Sequence, residues 1–123
     1  PLADPETPDM VLQAEFVFEG QSFIAMDSAF DHAFGFNEAV SIVVNCDTQE
    51  EIDRLSDALS ADPAAEQCGW VRDRFGVSWQ LSPAVLNDMM REASQEALDR
   101  VTQALLPMKR IDIATLERAY RGE

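Results

Sequence analysis

FNEAVSIVVNCDTQEEIDRLSDALSADPAAEQCGWVRDRFGVSWQLSP, residues Phe36 to Pro83, decides how this chain folds. Val40, Ile42, Val43 and Val44 form a β-branched apolar run, too short for a helix and suited to a buried strand. Thr48 with Glu51 three residues on makes a capping box, so a helix is predicted to start there. Ile52, Leu55 and Leu59 fall on one side of that helix and let it lie across a sheet. Ala61-Asp62-Pro63 ends it. Cys68 to Val71 and Val77 to Leu81 then read as two strands around an Arg74-Phe75-Gly76 turn. The segment is a βαββ unit.

Upstream, Val11 to Phe18 and Ser22 to Met26 read as a hairpin turning at Glu19-Gly20-Gln21, with Leu12, Phe16 and Phe18 on one face. Pro1, Pro5 and Pro8, among acidic residues, mark residues 1–10 as a flexible arm. Asp27 to Phe36 is a loop carrying Phe30, Phe34 and Phe36, rings that must pack under the loop or against something else. Downstream the period turns helical. Ser82-Pro83 reads as a helix start whose apolar side is Val85, Leu86, Met89 and Met90. Ser94 caps a second helix bearing Leu98, Val101 and Leu105. Asp112 caps a third, with Ile111 and Leu116 placed as a hydrophobic staple.

The 123 residues suit one domain with a continuous core, and the 46% apolar content is that of a globular protein. The net charge is −14, of which the first 82 residues carry −13. Such a surface repels phosphate, so neither nucleic acid nor an anionic membrane is an expected partner. No apolar run reaches the ~18 residues of a membrane span, and no secretory leader is visible. Cys46 and Cys68 are too few for a disulfide scaffold and read as structural thiols, in keeping with a reducing cytoplasm.

FNEAVS, VNCDTQEEIDRL, QCGW and FGVSWQLSP, in this order and spacing, resemble the PhnB-like branch of the vicinal oxygen chelate superfamily. That branch is also known as 3-demethylubiquinone 3-methyltransferase-like; the superfamily includes glyoxalases, extradiol dioxygenases and bleomycin-resistance proteins. The resemblance is strong over Val11 to Pro83 and looser to Tyr120, through KRIDIATLERAY. It implies an α+β fold of paired βαβββ modules. Nothing before Val11 reads as the strand and helix that open a first module. The expected organisation is therefore an arm over 1–10, a vicinal-oxygen-chelate-like domain over 11–82 and a helical extension over 83–123. Within the domain a partial first module runs to about residue 36 and the second covers 37–82. The strand missing from module one lies outside this chain or comes from a partner, since an uncovered sheet edge recruits strands.

The superfamily usually holds a divalent metal with His and Glu on a concave sheet. By resemblance the module-two ligand positions fall on Ser41 and Gln80, and Ala25 and Met26 stand where module one would bring Glu. A hydroxyl and a neutral amide are poor ligands, so no metal and no cofactor is expected. His32, in DHAFGF, matches a position where PhnB-like sequences also show His, a residue type able to serve as acid, base or ligand. Trp70 and Trp79 can build a core or an aromatic pocket wall. By strand alternation Gln80 and Trp79 point to opposite sides, and the resemblance, through the family's ligand geometry, implies that Gln80 and Ser41 are the residues facing the concavity.

The ligand-binding candidates are thus His32, Ser41, Gln80, Trp79 and Trp70, with no catalytic residue assigned. Asp73, with Arg72 and Arg74, reads simply as a solvated turn. The function expected from these residues is that of a dimeric small-molecule-binding protein or lyase-like enzyme. The alternatives are quinone-precursor methyl transfer and a non-catalytic interaction module. The glycines are isolated, without the clustered loop that methyl transfer from S-adenosylmethionine typically uses.

Overall fold

The structure is a computed structural model; it describes residues 2–4 and 7–123, with side chains from Asp9 onward. The chain divides into two compact units, Pro1–Phe34 and Gly35–Glu123.

The first unit is a three-stranded antiparallel sheet of order β1-β2-β3: β1 Leu2–Asp4, β2 Thr7–Phe18 and β3 Gln21–Ala25. Pro1, Pro5 and Glu6 of the expected arm lie outside the described residues. Elsewhere in 1–10 the backbone is strand rather than loose arm, because Leu2 to Asp4 pair with β2 through an irregular register. The hairpin turns on Glu19 and Gly20, at φ 49° and 75°, with Phe18 opposite Gln21. A two-residue turn with both central residues at positive φ matches the twist of the flanking strands. Phe16 opposes Phe23, their rings stacked at 5.5 Å. Every residue of β3 is exposed, and among the described side chains of this sheet none is buried.

The second unit holds β4 Ser41–Cys46, α1 Gln49–Leu59, a 3-10 turn Pro63–Ala65, β5 Trp70–Arg72, β6 Ser78–Pro83, and helices α2 Ala84–Glu92, α3 Gln95–Leu105 and α4 Ile113–Arg121. Its sheet has the order β4-β6-β5, with β4 parallel and β5 antiparallel to β6. Thr48 Oγ1 caps α1 on Glu51 N at 3.2 Å. Glu51 bonds back to the amide of Asp47 rather than that of Thr48, also at 3.2 Å. β5 begins at Trp70 and not at Cys68 because Cys68 and Gly69 are both left-handed, at φ 48° and 85°. Ser82 and Pro83 are the last residues of β6, so α2 starts one residue later than the Ser-Pro pattern suggests and has no side-chain cap.

Two apolar clusters stabilise this unit. Ile52 and Ser56 of α1 meet Val71 and Leu81 across the sheet, with Ile111 closing the side, and leave a void of only about 10 Å³. The second joins Met89, Val101, Ile111 and Leu116, with Tyr120 and Leu105 against them, which places both staple residues together. At roughly 1.5–3 kcal/mol per fully buried large apolar side chain, Ile52, Leu81, Val101 and Leu116 are its main supports. The final helices are tied to the sheet by backbone bonds from Cys68 N to Met108 O and from Gly69 N to Lys109 O, both 2.8 Å. Among the described residues no helix is long and apolar enough to cross a membrane.

Candidate functional site

Register fixes which side chains share a face. Ser41, Ser78 and Arg72 lie opposite one another across β4, β6 and β5, and the next row on the same face is Val43, Gln80 and Trp70. The alternate residues Ile42, Val71, Trp79, Leu81 and Cys46 look toward α1. The helix therefore backs one face and leaves the other, with its hydroxyls, amides and one indole, uncovered by α1.

On that open face Gln80 Nε2 donates to Ser41 Oγ at 2.9 Å. Farther along, Asn87 of α2 donates to Asn45 Oδ1 at 3.1 Å. Beside the β5 edge the face deepens into a groove of about 330 Å³ lined by Glu38, Ala65, Gln67, Trp70, Arg72 and Ser78. Ser78 is only 3% exposed. Arg72 is bracketed by two carboxylates, Asp62 at 3.2 Å and Glu38 at 3.7 Å. On the other side of Ser41 a second, mainly apolar groove of about 400 Å³ is walled by Phe36, Val40 and Val77.

The candidates do not all converge. Ser41, Gln80 and Trp70 share the open face. Trp79 takes the opposite one, and its indole N–H donates to Asp73 Oδ2 at 2.9 Å. Asp73 is thus more than part of a solvated turn: its other oxygen accepts from Phe75 N at 2.9 Å and Val77 N at 3.0 Å, so one carboxylate shapes the β5–β6 hairpin and orients Trp79. His32 belongs to the first unit, where it is exposed, hydrogen-bonded to Ser28 Oγ at 2.7 Å and stacked on Phe34 at 4.6 Å. Sequence reading passed over Ser78, although it stands two residues before Gln80 and so shares its face. The Glu38–Arg72–Asp62 group gave no local signal, because its members are far apart in the chain.

Neither cysteine reaches the open face. Cys46 is buried and its thiol is pushed up by burial, with Glu51 and Asp47 adding to the shift and Arg54 opposing it. Cys68 is half-buried with Sγ 3.4 Å from Leu105 O. Both are free thiols.

The donor set does not fit the superfamily's divalent metal. Ser41 and Gln80 offer a hydroxyl and a neutral amide joined by one hydrogen bond, and among the described residues no three His, Cys, Asp or Glu side chains gather closely enough to hold an ion.

A small sheet backed by a helix on one face and open on the other, in a mixed α+β chain, is the architecture of the glyoxalase-like class. Within that class the chain belongs to the family described as 3-demethylubiquinone-9 3-methyltransferase, whose model matches residues 2–82. Among solved structures it is similar to a PhnB protein from Bacillus cereus, at 38% identity and a TM-score of 0.53. That match covers 61% of this chain and 66% of the other, a little under two thirds of the relative's length. No curated protein matches the chain.

Proposed function

We propose that this chain is a small-molecule-binding protein of the PhnB-like family that holds its ligand on the open face of the β4-β6-β5 sheet and works as a homodimer. The observation carrying the proposal is the polar face that α1 leaves uncovered, where Gln80 is bonded to Ser41 and, beside them, Ser78 and Trp70 line a groove of about 330 Å³. A few convergent polar groups beside an aromatic wall are what a ligand site requires, and the volume lies at the lower end for small-molecule pockets. Methyl transfer, the activity in the family's description, has no such support. The β4–α1 connection is Asp47-Thr48, without glycine, and Glu51 already occupies the amide of Asp47.

The dimer rests on Leu12, Phe16 and Phe23, which share one face of the β2–β3 hairpin and are 37–50% exposed. A second copy is the occupant proposed for that face, because it carries no charge in a chain otherwise strongly acidic.

Amide resonances of the labelled protein, titrated with a panel of quinones, dicarbonyls and neutral aromatics, test the ligand site. Binding is expected to shift Ser41, Ser78, Gln80 and Trp70 together. Silence across the panel, or shifts confined to other surfaces, would remove the proposal.

A further inference from the structure

Resting on that reading of the open face, we infer that its ligand is an uncharged planar molecule whose oxygen is held by Ser78, and that carboxylates and phosphates are excluded. Three observations lead there.

The first is the state of the groove's cation. Among the described residues Arg72 is the only basic one lining it, and its guanidinium already meets the carboxylates of Asp62 and Glu38. An anion entering the groove would have to displace a carboxylate or sit beside two of them. Either route costs Coulomb energy that one shared guanidinium does not return. The long-range field points the same way, since a net charge of −14 repels anions before they arrive.

The second is Ser78. Its hydroxyl has no hydrogen-bond partner among the described residues, although the residue is 97% removed from solvent. No buried side-chain oxygen or nitrogen in the described structure is left without a partner, so this hydroxyl must open to the groove it lines. A nearly buried hydroxyl facing a groove is a donor and acceptor waiting for a polar atom. The nearby amide donors are already engaged: Gln80 Nε2 with Ser41 Oγ at 2.9 Å, and Gln67 Nε2 with Leu106 O at 2.8 Å.

The third is Trp70, half-buried in the same groove and next to Gln80 in register. An indole wall rewards a flat ligand by stacking and gains nothing from a strongly hydrated anion.

An isosteric pair of probes isolates the charge. Calorimetric titration at neutral pH with 4-hydroxybenzamide and 4-hydroxybenzoate is expected to show the amide binding at least ten times more tightly. Ser78→Ala should weaken the amide about five- to tenfold, the loss of one hydrogen bond. The double variant Glu38→Gln, Asp62→Asn keeps an amide cap on the 3-10 turn and frees Arg72, and it should narrow or reverse the preference. Thermal melts of each variant identify any that fail to fold. Equal or tighter binding of the benzoate by the native protein overturns the charge inference and leaves the open-face site standing. Failure of both probes, while another neutral compound still shifts the open-face resonances, overturns the ligand class alone. Failure of every compound removes the site as well.

Discussion

Gly69 shows how closely one residue is constrained here. It sits at φ +85°, and a Cβ there would lie 2.8 Å from both Ile111 Cδ1 and the carbonyl oxygen of Leu81. That carbonyl is held by β6, so the clash has no easy relief. Gly20 has a similar φ of +75° but nothing within 4 Å of its would-be Cβ. Backbone strain alone costs of order 1–3 kcal/mol at such positions. Gly69→Ala is therefore expected to lose well over 2 kcal/mol in urea unfolding, and Gly20→Ala only about 1 kcal/mol, the difference being the clash. Similar losses from the two variants would contradict this reading of the β5 entry.

Between elements, the decisive link is Gln49 at the start of α1. Its amide donates to Ile111 O at 3.0 Å, and its oxygen accepts from Ile113 N at 2.9 Å, one of the orphan donors at the start of α4. Nearby, Arg110 pairs with Asp57 at 2.6 Å and Asp53 at 3.4 Å, which raises the guanidinium's pKa, chiefly through the bond to Asp57. The two links look alike on a contact map and differ in worth. The Arg110 pairs are solvent-screened and contribute at most about 1 kcal/mol. The Gln49 bonds satisfy part-buried backbone groups that would otherwise go unpaired, at about 1–3 kcal/mol. Gln49→Ala should thus cost more stability than Arg110→Ala and should speed hydrogen exchange at the Ile113 amide. Salt should affect only the Arg110 link. The far end of α4 has its own cation: Arg100 donates to the carbonyls of Ala119 and Tyr120 at 2.8 and 2.9 Å, which favours the negative end of the helix dipole.

At the scale of the whole chain, the two units contrast in their cores. Gly35–Glu123 encloses two apolar clusters, whereas the β2–β3 hairpin shows Leu12, Phe16, Val17, Ile24 and Met26 to solvent. Light scattering on a size-exclusion column should report twice the chain mass. Phe16→Glu, which sets a carboxylate against its own copy across the symmetry axis, should give a monomer. A native protein that runs as a monomer would leave the hairpin face without the partner proposed for it.

Much of this was legible in the residues themselves. The βαββ unit follows from a β-branched run, a capping box and two short strands, because period and caps are local and need no partner to be read. The helix starts at Ser94 and Asp112 follow for the same reason, each side chain bonding an amide two or three residues away. What tertiary structure alone decided is which residues meet. Asp73 reaching the indole of Trp79, Arg72 held between Glu38 and Asp62, and Gln49 spanning to residues 111–113 join side chains through space, and sequence distance carries no record of such contacts. The open face was half-legible for that reason: alternation set Gln80 apart from Trp79 and the family resemblance put Ser41 with Gln80, but only packing determined which side α1 would cover.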